Sequence, residues 1–89
     1  MFIRQNIFKI PGLFGMGSKE LNQQRFANAV LKAAEMKDLS LRKLAASSGL
    51  EFSQVQRITK GKVNLALSTI ISLSEGLEMS PSELFGFYE

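Results

Sequence analysis

Within GLEFSQVQRITKGK, residues 49–62, Ser53, Gln56, Arg57 and Lys60 recur at i, i+3, i+4 and i+7. On an α-helix this spacing gathers a hydroxyl, an amide, a guanidinium and an ammonium on one stripe, opposite Val55 and Ile58. These groups make hydrogen bonds and carry positive charge, so the chemistry they offer is recognition. A guanidinium can bond guanine through two donors, and an amide can bond adenine in the same way. A solvated face is the more ordinary use of such a stripe on a lone amphipathic helix, so the neighbouring elements must decide.

Catalysis has little to work with. The chain has no His and no Cys, which removes imidazole bases, thiolate nucleophiles, zinc clusters and disulfides. Carboxylates, Lys and hydroxyls remain, but no paired-carboxylate constellation is evident. No enzyme activity, metal, cofactor or small-molecule ligand is therefore expected.

At 89 residues, 45% apolar and 21% charged, the chain has the length and composition of one folded domain with a modest core. Its net charge of +3 is unevenly spread. Residues 42–62 hold Arg42, Lys43, Arg57, Lys60 and Lys62 against Glu51, five minus one, or +4. Residues 63–89 hold Glu75, Glu78, Glu83 and Glu89 with no cation, or −4. A basic middle suits a polyanion.

The opening MFIRQNIFKIPGLFGMGS is not a secretory signal, because Pro11, Gly12 and Gly15 break its apolar run and no small-x-small cleavage site follows. Nothing approaches the ~20 apolar residues of a membrane span. A cytoplasmic protein without membrane partners is expected. Residues 1–17 read as an apolar arm, with Ile3, Ile7, Ile10 and Phe14 on one helical stripe interrupted by Pro11, Gly12, Gly15 and Gly17. Three readings of the arm stay open: it packs on its own domain, crosses to a second subunit, or is an upstream extension with Met16 as the true start.

Residues 18–89 read as five helices with no strand. Leu21, Phe26, Ala29, Val30, Ala33 and Met36 or Lys37 recur at helical steps over about 19–36. Ser40 caps a short second helix carrying Leu41, Leu44 and Ala45 inward, which ends near Ser48. Gly49 offers the positive φ of a tight turn, with Leu50 as an apolar plug beneath it. A third helix spans about 52–60, closed by Gly61. Ile70, Ile71, Leu73 and Leu77 mark a fourth, and Ser80, Pro81 and Glu83 form the capping box of a fifth. Leu21, Phe26, Val30, Leu44, Ala45, Leu50, Val55, Ile58, Ile70, Leu73, Leu77 and Leu84 are the expected core. Met36 and Met79 are expected as core or boundary fillers.

A short helix, a Gly turn and a second short helix with a cationic outer face form a helix-turn-helix, whose second helix enters the DNA major groove. Residues 39–85 resemble, without a gap, the Cro and phage-repressor (Xre) helix-turn-helix family; LRKLAASSGL, VQRITKGK and LSTIISLSEGLEMSPSELF carry the likeness. The resemblance implies an all-α, five-helix lambda-repressor-like domain over 18–89 that binds double-stranded DNA as a homodimer and regulates transcription. It places base reading on Phe52, Ser53, Gln56 and Arg57, and phosphate contacts on Ser40, Leu41, Gln54, Lys60, Lys62 and Asn64. Arg42 is a further phosphate candidate by its exposure on the second helix; solvation is the alternative. Phe52 either touches a thymine methyl or packs over Leu50 or helix 2.

Three positions depart from the family pattern. Leu41 stands where members often carry a phosphate-clamping Gln, Thr59 where they carry Glu, and Leu65 where they carry Pro. Phe85, Phe87 and Tyr88 exceed what a small terminal turn can bury, so helix 5 and the arm are candidate dimer surfaces, with the choice between them left open. The other function class that fits the residues is a protein-interaction module of the same fold, such as an antitoxin or an assembly subunit.

Overall fold

In the computed structural model residues 18–89 are described, and they form five helices: α1 Ser18–Met36, α2 Leu41–Ser48, α3 Phe52–Thr59, α4 Leu67–Gly76 and α5 Pro81–Phe85. The arm expected over 1–17 lies outside the described residues. No strand occurs among the described residues, and none of their helices is long and apolar enough to cross a membrane. α2 packs on both α3 and α4, α1 on α3 and α5, and α4 on α5.

Four helices stop in the same way. A residue in the left-handed region follows each: Asp38 after α1, Gly49 after α2, Gly61 after α3 and Glu78 after α4. The residue after it donates its N–H back to the last turn, Leu39 to Ala34, Leu50 to Ala45, Lys62 to Arg57 and Met79 to Ser74. This arrangement satisfies carbonyls that a helix end leaves without partners, and the residue that closes it commonly makes an apolar contact. Leu39, Leu50 and Met79 do so and rest against the core. Lys62, after α3, is exposed.

The core gathers one apolar face from every helix. Phe26 and Val30 of α1, Leu44 of α2, Val55 and Ile58 of α3, Leu73 and Leu77 in and after α4, and Leu84 of α5 are all buried. Among the expected core residues Leu21, Leu50 and Ile70 are only half-buried. Met36 corrects the reading outright, being 62% exposed. The helical stripe runs on through Met36 in sequence, but after the turn at Asp38 it is Leu39 that packs against the core. Alanines fill much of the rest of α1, where Ala27, Ala29, Ala33 and Ala34 are buried and let neighbouring backbones approach.

The aromatic C-terminal tail largely spends itself on its own domain, against expectation. Phe87 and Tyr88 are half-buried against the core, Tyr88 Oη donates to Asn22 Oδ1 at 2.7 Å, and only Phe85 stays 45% exposed. Phe85 still meets Phe26, with ring centroids 5.3 Å apart. The tail thus closes over the start of α1.

The expected caps form. Ser40 Oγ accepts from the Lys43 N–H at 3.2 Å. Ser80 Oγ accepts from the Glu83 N–H at 3.2 Å, and the Glu83 carboxylate accepts from the Ser80 N–H at 2.9 Å. That backbone bond is the main reason the Glu83 carboxyl is held below its ordinary value; the Ser80 hydroxyl and Lys37 add to it. A carboxyl depressed in the fold stabilises it above the unfolded-state value, and that contribution disappears as pH falls through the folded one. Acidification through the carboxylate range is therefore expected to lower the melting temperature of the wild type more than that of Glu83→Gln. Ser80→Ala is expected to cost about 1 kcal/mol at neutral pH in thermal melts.

Candidate nucleic-acid interface

α3 is held by three buried side chains, Val55, Ile58 and Thr59. Their burial turns the opposite stripe outward, so Ser53, Gln56, Arg57 and Lys60 are all exposed together. Thr59 was not expected in the core. Its hydroxyl donates to the carbonyls of Val55 and Gln56, both at 3.1 Å, so the polar group is satisfied within its own helix and the methyl can be buried.

The turn after α3 is sterically fixed. Gly61 has φ +73°, and a Cβ there would lie 2.6 Å from Gln24 Oε1 and 3.0 Å from Gln24 Cα. α1 therefore abuts the loop that carries Lys60 and Lys62. Sequence reading missed Gln24, since nothing in its local pattern signals a partner 37 residues away. Lys62 occupies the closing position of the turn, where the other three helices place an apolar side chain. A cation held there by backbone geometry faces solvent beside Lys60.

The remaining candidates fall around this face in different ways. Ser40 is exposed, with its oxygen engaged as the cap of α2. Gln54 is half-buried, and Asn64 is exposed in the loop before α4. A groove of about 530 Å³ between α1, that loop and α5 sets Lys19, Asn22 and Gln23 near Asn64, adding a cation that sequence reading had not singled out. Leu41 and Leu65 are half-buried against the core, so the apolar departures from the family pattern serve packing.

Phe52 and Arg42 form a pair. Phe52 is half-buried against the core, and the Arg42 guanidinium carbon lies 4.1 Å above its ring centroid. Packing against helix 2 is thus the arrangement Phe52 adopts. Among the described residues one ion pair occurs, Lys32 with Glu89 at 3.0 Å. Arg42, Arg57, Lys60 and Lys62 are accordingly without carboxylate partners there, and no group of three His, Cys, Asp or Glu among the described residues could hold a metal.

Comparison with known proteins places this geometry. The HTH_3 helix-turn-helix family model matches residues 30–84, more than half of the chain, from mid-α1 into α5. Among solved structures the chain is similar to the restriction-modification controller protein C.AhdI from Aeromonas hydrophila. That likeness has a TM-score of 0.70 and 32% identity over 73% of this chain and 98% of that one. It is also similar in fold to an HTH_3 family transcriptional regulator from Vibrio cholerae, with a TM-score of 0.73 and 23% identity over 78% of this chain and 39% of that one. No curated protein matches the sequence.

Proposed function

The chain belongs to the HTH_3 helix-turn-helix family, and from that membership we propose that it is a sequence-specific DNA-binding transcriptional regulator. It reads the major groove with α3 and acts as a homodimer. The observation that carries this reading is the outward stripe of Ser53, Gln56 and Arg57, followed directly by Lys60 and Lys62, all exposed and without carboxylate partners among the described residues. Helix-turn-helix docking brings such a stripe to base edges while cations on the flanking loop meet phosphate. Likeness to a controller protein over nearly that protein's whole length supports the regulator class.

Selection of bound duplexes from a random pool tests the proposal. The expected result is an enriched site with two related halves, centred about 34 Å apart. A pool that never enriches would overturn the regulator and favour a protein-interaction module; enrichment of one unpaired half-site would overturn the dimer.

Phosphate contacts give a separate expectation. Binding should weaken steeply with salt, because each neutralised phosphate releases counterions. Lys60→Ala and Lys62→Ala are each expected to reduce the slope of log affinity against log salt by about 0.9 per subunit. Unchanged slopes in a fluorescence-anisotropy salt series would place the DNA face elsewhere.

A further inference from the structure

We propose that Phe52 is a positioning residue that holds Arg42 as a pre-organised phosphate contact, so that the two side chains act on DNA as one unit. The proposal rests on the DNA-binding reading above and goes beyond it in assigning Phe52 to Arg42 rather than to a base. Arg42 is the second residue of α2, just after the cap Ser40, and Phe52 is the first residue of α3. The pair therefore bridges the two helices of the helix-turn-helix at their N-terminal ends. In that docking geometry the first helix crosses the DNA backbone, and the second enters the groove N-terminus first. A cation at the start of α2 thus lies where phosphate passes.

The ring explains why this cation differs from an ordinary exposed one. Arg42 is exposed, and an unsupported arginine there would sample many rotamers and lose them on binding. At 4.1 Å over the Phe52 centroid, well inside the ~6 Å range of cation–π attraction, the guanidinium is held before DNA arrives. A guanidinium that stacks on a ring uses its own face and leaves its N–H donors at the rim for a phosphate oxygen. Phe52 is in turn fixed from beneath by the core, which gives the platform rigidity. The same contact covers one face of the Phe52 ring.

The test is a double-mutant cycle on the duplex obtained by selection, using Arg42→Ala, Phe52→Leu and the double variant, each checked by circular dichroism melting. Leucine keeps apolar packing but has no ring face. Arg42→Ala is expected to reduce the salt slope by about 0.9 per subunit. Phe52→Leu is expected to keep the wild-type slope, since the charge remains, yet to weaken binding about two- to fivefold. In the Arg42→Ala background the Phe52→Leu change should cost almost nothing. Equal cost of Phe52→Leu with and without Arg42 would overturn the unit and return Phe52 to base contact or to a general structural role. An unchanged salt slope in Arg42→Ala would overturn the phosphate assignment. A wild type with no preferred site would instead defeat the regulator reading itself, so the two failures are distinguishable.

Discussion

Arg57→Ala is expected to melt at the wild-type temperature and still to bind its selected duplex about 1–3 kcal/mol more weakly, with relaxed preference at one G·C base pair. The two halves of this expectation have separate causes. Arg57 is exposed on the last turn of α3 and has no carboxylate partner among the described residues. Removing an exposed charge of this kind changes stability by under about 1 kcal/mol. What the fold uses at this position is the backbone, since the Arg57 carbonyl accepts from the N–H groups of Lys60 and Lys62. Alanine preserves both bonds. The binding loss comes from the guanidinium alone, which sits one turn after Ser53 on the stripe that faces the groove in the proposed docking. A bidentate contact to guanine is lost selectively, so random DNA should suffer less than the selected site. Gln56→Ala should follow the same pattern more weakly. If Arg57→Ala weakens selected and random duplexes equally and flattens the salt slope, Arg57 holds phosphate and reads no base.

Most of this face could be read from spacing, because helical periodicity is a local property. Val55 and Ile58 against Ser53, Gln56, Arg57 and Lys60 need only the 100° step to separate. Caps were legible for the same reason: Ser40, Gly49 and the Ser80–Glu83 box act within three or four residues of themselves. The misreadings arise where a decision is made across the chain. Met36 continues the α1 stripe, yet no local rule says that a left-handed Asp38, a residue without glycine's freedom, will replace it with Leu39. Tyr88 looks surplus until α1 supplies Asn22 as a partner. Gln24 is unremarkable until Gly61 closes on it. Pairing of Arg42 with Phe52 likewise depends on how α2 and α3 cross, which their separate patterns do not contain. The family likeness narrows the fold but leaves this contact unassigned, because it is a matter of two particular side chains.

Gly76→Val is expected to destabilise the domain by about 3 kcal/mol, at the upper end of what overpacking costs. Gly76 is the buried last residue of α4, and a Cβ there would lie 2.7 Å from Ser48 Cβ and 2.9 Å from both Ser48 Cα and N. Real carbons do not approach this closely, so α2 and α4 would have to separate. The neighbourhood resists separation. Ser47 Oγ donates to the Gly76 carbonyl at 2.9 Å, and Leu44, Leu73 and Leu77 are fully buried around the crossing. A glycine in a helix also carries an entropic penalty, and replacing it returns at most about 1 kcal/mol, too little to offset the clash. Gly76→Ala should show the same effect reduced, since it adds the Cβ without the two branches. The informative control is Ser48→Gly. Removing the Ser48 side chain takes away only the nearest of the three atoms and leaves backbone at 2.9 Å, so the double variant should remain destabilised. Denaturant melts decide this directly: recovery of wild-type stability by Ser48→Gly would mean that side chains, and not the approach of two helix backbones, set the α2–α4 distance. Because α2 carries Arg42 and packs on α3, the same variant should also weaken binding to the selected duplex under conditions where it is still folded, if α3 is the DNA-reading helix proposed above.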